Sequence, residues 1–188
     1  MKPNTHSGKL GQASRGILLF FTISLMGWVG ETVYAFFLTG RFCDRGLLTL
    51  PFCPIYGASV LGLWLLVGTP AEGGLLLRRC RRGVLRVSLY ILFSALIPTV
   101  FELVTGAFFH RLFDLRLWDY SDKPLQLGGY ICLPFSILWG LLIPPLMGLL
   151  FPKLKSGLER IPERAATLLA GGLLLSSLTD LLLICLFG

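Results

Sequence analysis

Two stretches of this sequence, Gly46–Ala71 and Pro124–Pro152, carry no charged residue at all. About 20 consecutive apolar residues suffice to cross the hydrocarbon core of a bilayer. Three further stretches, Gly16–Gly40, Val87–His110 and Ala165–Gly188, are uncharged except for one acid each. Only 14% of the residues are charged, against about 25% in soluble domains. A chain of 188 residues cannot cover five such segments with polar surface. The pattern predicts an all-α integral membrane protein with about five transmembrane helices, near residues 16–38, 52–68, 84–109, 128–150 and 165–187. They form a single transmembrane domain over 1–188, with no separate soluble domain.

Lys2, Lys9 and Arg15 resemble the charged start of a signal peptide. No small-residue cleavage site follows a short apolar core, and the apolar run continues past Glu31, so the first helix is read as a mature segment. Orientation comes from the basic residues, which favour cytoplasmic loops. Lys2, Lys9, Arg15, Arg78, Arg79, Arg81, Arg82, Arg86, Lys153, Lys155, Arg160 and Arg164 fall on one predicted face. Arg41, Arg45, Arg111, Arg116 and Lys123 fall on the other. The N-terminus is expected inside and the C-terminus outside. The run Arg78-Arg79-Cys80-Arg81-Arg82 is then an orientation signal beside anionic lipid, and nothing accompanies it that would bind nucleic acid.

Glu31, Glu102 and Asp180 interrupt the first, third and fifth helices. An acid in hydrocarbon costs roughly 2.5–3.5 kcal/mol on insertion scales. Each follows an uncharged run of equal length, Gly16–Gly30, Val87–Phe101 and Ala165–Thr179. At 1.5 Å per residue, all three sit about 22 Å above the inner flank. Two readings stay open: a buried polar site reachable from outside, or helix glue in which the acids pair with loop arginines. Arg41 and Arg45 are the available countercharges.

The first two helices echo the next two. ETVYAFFLTGRF, from Glu31, resembles ELVTGAFFHRLF, from Glu102, and CPIYG (53–57) has a counterpart in ICLPFSILWG (131–140). The helix pairs read as parallel repeats followed by a fifth helix, a pattern known in transporters; chance similarity between apolar segments is the competing account. The repeat matches segment 41–57 with segment 110–132. Both are expected to cap the outer face above the acids. The first carries Asp44, Gly46, Pro51, Cys53, Pro54, Tyr56 and Gly57; the second carries Trp118, Asp119, Tyr120 and Ser121.

Cys53 and Cys132 are the pair to test for a disulfide, although buried small apolar roles explain them as well. Metal-ligand spacings such as CxxC and HExxH are missing, and the two histidines are His6 and His110. No metal and no cofactor is expected. The sequence holds no phosphate-binding GxxxxGK[ST] loop and no GxSxG nucleophile elbow.

The ordered motifs GWVGE (27–31), DRGLLTLPFCPIYG (44–57), ELVTG (102–106), WDYS (118–121) and LQLGGYIC (125–132) resemble a family of small bacterial membrane proteins. This is the putative ABC transporter type IV, or CmpB-like, family, and the resemblance spans about residues 16–150. The family pattern usually has Asn at the position of Asp44, Gly at that of Leu50 and often Asn at that of Gln126. The resemblance implies a multi-pass protein of the bacterial plasma membrane acting as a permease subunit, with a separate ATPase as partner.

The leading expectation is a non-enzymatic permease with Glu31, Glu102, Asp180, Arg41 and Arg45 in a buried polar cluster under the outer cap. Five helices are few for a closed pathway, so a homo-oligomer or partner subunit is expected within the lipid bilayer. One alternative is a membrane-embedded enzyme or lipid-binding protein using the same carboxylates. Another is a structural or regulatory partner in which the acids only lock helices.

Overall fold

The computed structural model describes residues 5–42, 46–77, 80 and 83–187. Five helices carry the fold: α1 (Thr5–Thr39), α2 (Pro54–Val67), α3 (Val84–Phe113), α4 (Leu133–Glu159) and α5 (Glu163–Phe187). Two short strands, β1 (Gln126–Leu127) and β2 (Ile131–Cys132), form a hairpin before α4. Two compact units result, one built from Met1–Gly57 and Lys153–Gly188, the other from Ala58–Pro152.

Among the described residues, four helices are long and apolar enough to span a membrane, α1, α3, α4 and α5. Leucines and phenylalanines along them are exposed, as lipid-facing side chains are. The expected fifth span is corrected in length: α2 has 14 residues, about 21 Å at 1.5 Å per residue, against a hydrocarbon core of about 30 Å. Its uncharged run is partly non-helical at both ends. Pro54, which has no N–H to contribute, occupies the first helical position, where none is needed. At the other end Gly68, with φ of 83°, turns the chain into a tight hairpin. There Gly74 N–H donates to Val67 O at 2.7 Å and Leu76 N–H to Leu66 O at 2.9 Å.

In the first unit α1 and α5 run parallel. Near their starts Ser14 Oγ lies 3.2 Å from Thr167 Oγ1, and Arg15 donates to Ile161 O at 3.0 Å. Leu18 packs with Ala166 and Ala170. Further along, Phe21 packs with Leu48 and Phe52, with Leu173 and Ile184 of α5 against them. Residues 48–53 therefore lie along the side of α1, not over its end. Cys53 N–H donates to Ser24 O at 3.0 Å, about 22 Å below Thr39 along the helix. Non-helical backbone is tolerated at such depth only when protein buries it, and Leu48, Phe52 and Cys53 are buried.

In the second unit α3 and α4 pack antiparallel, with Thr99 Oγ1 donating to Ser136 Oγ at 2.8 Å and Gly140 against Ile91 and Ala95. Pro144 and Pro145 withdraw two N–H donors inside α4, and a π-helical turn at Leu146–Leu150 follows them. The helix then continues past Lys153 to Glu159. The expected inner connection after the fourth helix thus shrinks to residues 160–162.

Candidate functional site

Every fourth residue of α3 from Tyr90 onward faces inward: Tyr90, Ser94, Pro98, Glu102 and Gly106 are buried. This spacing keeps one face of a helix. Tyr90 hydroxyl donates to Gly68 O at 3.0 Å. Glu102, 8% exposed, accepts from the Trp139 Nε1–H at 3.0 Å. Trp139 comes from α4 and immediately precedes Gly140, whose missing side chain lets α4 approach α3. A methyl group at Gly140 would lie 3.1 Å from Ala95 Cβ and 3.3 Å from Ile91 O.

The first unit repeats this arrangement. Glu31 accepts a hydrogen bond from the Tyr56 hydroxyl. Tyr56 precedes Gly57, where a methyl group would lie 2.5 Å from Ser24 Oγ and 2.7 Å from Phe20 O. Phe20 and Ser24 precede Glu31 by 11 and 7 residues; Ile91 and Ala95 precede Glu102 by the same 11 and 7. In both units a glutamate is held by the N–H or O–H of an aromatic ring. In both, the glycine after that ring packs against the same two positions of the acid's own helix.

Asp180 on α5 is held differently. It accepts from the Thr49 hydroxyl and, at 3.1 Å, from the Leu50 N–H. It is 7% exposed. The return segment 48–53 is thus fastened to α5 by this carboxylate.

The remaining expected residues fall as follows. Arg41 is exposed at the end of α1, its N–H donating to Thr39 Oγ1 at 3.3 Å. Asp44 and Arg45 lie outside the described residues. Gly46 and Pro51 are partly buried in the return segment, and Pro54 is exposed at the start of α2. Cys53 and Cys132 are both buried thiols with no disulfide between them. Thr49 and Trp139 were not singled out by sequence. The alignment of Tyr56-Gly57 with Trp139-Gly140 was the available signal for Trp139.

The second motif segment pins the β-hairpin to the helices. Residues 128–130 connect the paired Leu127 and Ile131, with Gly128 and Gly129 at φ of 61° and 76°, left-handed values that glycine adopts at no steric cost. Tyr130 N–H closes this connection on Leu127 O at 3.1 Å. Trp118 Nε1–H donates to Tyr130 O at 2.8 Å, and Tyr120 stacks on Phe135 with centroids 5.0 Å apart. His110 Nδ1 and the Tyr130 hydroxyl are hydrogen-bonded at 2.7 Å. Asp119 accepts from the Ser121 hydroxyl and N–H, and from Arg116 at 2.9 Å.

The Ser121 hydrogen bonds, with Arg116 adding to them, hold the Asp119 carboxyl below its ordinary range. A folded pKa below the unfolded value of about 3.9 means that its contribution is full above that pH. It is lost as pH falls through the lower, folded pKa. The Ser121 amide resonance should titrate with a midpoint below about 3.9 and lose that titration in Asp119→Asn. A midpoint at or above that value contradicts the assignment.

A family model described as "Putative ABC-transporter type IV" matches residues 18–185 of the chain. No curated protein and no solved structure matches it.

Proposed function

The chain belongs to the family described as putative ABC-transporter type IV, and from that membership we propose that it is a membrane-embedded permease subunit whose ATP is hydrolysed by a separate protein. The observation that carries this reading is the family match over most of the chain, on a fold with four helices long and apolar enough to span. The sequence has no phosphate-binding loop of its own, so the energy-coupling chemistry falls to a partner. In this reading the chain is not itself an enzyme.

The location is the bacterial plasma membrane, with the N-terminus cytoplasmic and the C-terminus outside. The excess of Lys and Arg on one set of connections supports that orientation. The crossing at α2 is completed by the non-helical return segment, a broken span of the kind transporters use near the bilayer midplane. Glu31 and Glu102 occupy equivalent positions of a duplicated helix-pair module. The shared spacing of acid, aromatic donor and glycine supports the duplication.

Two experiments test this reading. Isolated from native membranes in mild detergent, the chain should bring a nucleotide-binding ATPase with it in fixed proportion. Recovery of this chain alone, or only in copies of itself, contradicts the subunit reading. An impermeant thiol reagent should leave Cys80, partly exposed and set in the basic run, unlabelled in intact cells and labelled after permeabilisation. Labelling in intact cells reverses the orientation.

A further inference from the structure

An apolar groove of about 220 Å³ opens in the second unit, lined without a polar atom. Leu66, in the last turn of α2, and Leu76, whose N–H donates to Leu66 O, form one wall. Phe93, Leu96, Ile97 and Val100 of α3 form the other. Arg86, in the first turn of α3, stands 7, 11 and 14 residues before Phe93, Ile97 and Val100. Those spacings fall on one helical face, so the arginine heads the stripe that lines the groove.

The environment of Arg86 favours an anion. A cation in the first turn of a helix opposes the helix dipole. The N-cap of α3 is Gly83, which provides no side-chain cap for the first amides. The Arg86 guanidinium donates to Ala71 O at 3.3 Å, one of its five N–H donors. Arg78, Arg79, Arg81 and Arg82 precede it in sequence. An acidic head group at Arg86 would offset the opposed helix dipole and satisfy the uncapped end, while an acyl chain fills the groove.

We propose that this groove binds one anionic phospholipid, with an acyl chain between the α2 hairpin and α3 and its phosphate at Arg86. The site does not depend on the transporter reading, and its occupant is a lipid of the leaflet at the N-terminal end of α3. Basic residues near a membrane surface each contribute about 1 kcal/mol to binding anionic lipid, which corresponds to roughly fivefold in retention.

The test is native mass spectrometry of the full chain from nanodiscs holding equal phosphatidylglycerol and phosphatidylcholine. Phosphatidylglycerol should be retained at least about fivefold over phosphatidylcholine. Arg86→Gln should reduce that preference by about fivefold. Leu96→Trp, at a half-exposed position where a larger side chain fills the groove, should reduce retention of both lipids. Equal retention of the two lipids by the wild-type chain, or undiminished retention in Leu96→Trp, overturns the proposal. As a variant-free measure, phosphatidylglycerol should raise the wild-type melting midpoint more than phosphatidylcholine does; equal shifts overturn it too.

Discussion

Gly57→Ala is expected to destabilise the protein by about 2 kcal/mol, while Gly140→Ala stays within about 1 kcal/mol of wild type. Replacing a helical glycine by alanine gains up to about 1 kcal/mol from backbone entropy. Overpacking costs about 1–3 kcal/mol, and the local distances decide which effect wins. At Gly140 the new methyl meets Ala95 Cβ at 3.1 Å and Ile91 O at 3.3 Å, so a shift of a few tenths of an ångström relieves it. At Gly57 it meets Ser24 Oγ at 2.5 Å and Phe20 O at 2.7 Å. That pair is itself hydrogen-bonded at 2.8 Å, and a backbone oxygen inside a helix cannot swing away. Unfolding titrations in mixed micelles give both values. Equal effects at the two glycines would show that α2 does not start as tightly against α1 as described.

Trp139→Phe is expected to cost about 1–2 kcal/mol, because it keeps the ring and removes the one N–H that Glu102 Oε1 accepts from Trp139. Tyr56→Phe should cost a similar amount through Glu31. Glu102→Gln retains a carbonyl oxygen as acceptor and should be milder than Trp139→Phe. A double-mutant cycle of Glu102→Ala with Trp139→Phe should give a coupling of about 0.6–2 kcal/mol. Strict additivity of the two single changes would mean that the bond contributes nothing, and that Trp139 acts by packing alone.

The four long helices were legible because a run of apolar residues without charge has few homes outside a bilayer. The short α2 was not, because hydropathy reports what is buried and not how the backbone is paired. Gly46–Ala71 is uncharged throughout, yet only Pro54–Val67 is helical. The flanks form a return segment and a hairpin. Pro51 and Pro54 marked the re-entry, but not its depth, which is fixed by Phe52 and Leu48 packing on Phe21. The continuation of α4 through Lys153 was missed for the converse reason: charge ends an apolar run without ending a helix.

At the site, the three membrane acids stood out by their cost in hydrocarbon, and Tyr56 by its place in a motif. Their donors did not, since Trp139, Thr49 and the Leu50 amide are ordinary in sequence. The repeat of acid and glycine was visible, but Pro54 precedes Tyr56 by two residues and Pro134 precedes Trp139 by five. Those three extra residues are close to one helical turn, which returns the ring to the same face and hides the correspondence from a gapless comparison.

ATP hydrolysis followed through purification tests the subunit reading most directly. Hydrolysis should co-elute with this chain when it is isolated from native membranes in mild detergent, and should vanish when the chain is produced and purified without a partner. Hydrolysis by the chain alone, or membranes in which no ATPase activity travels with it, would contradict the account.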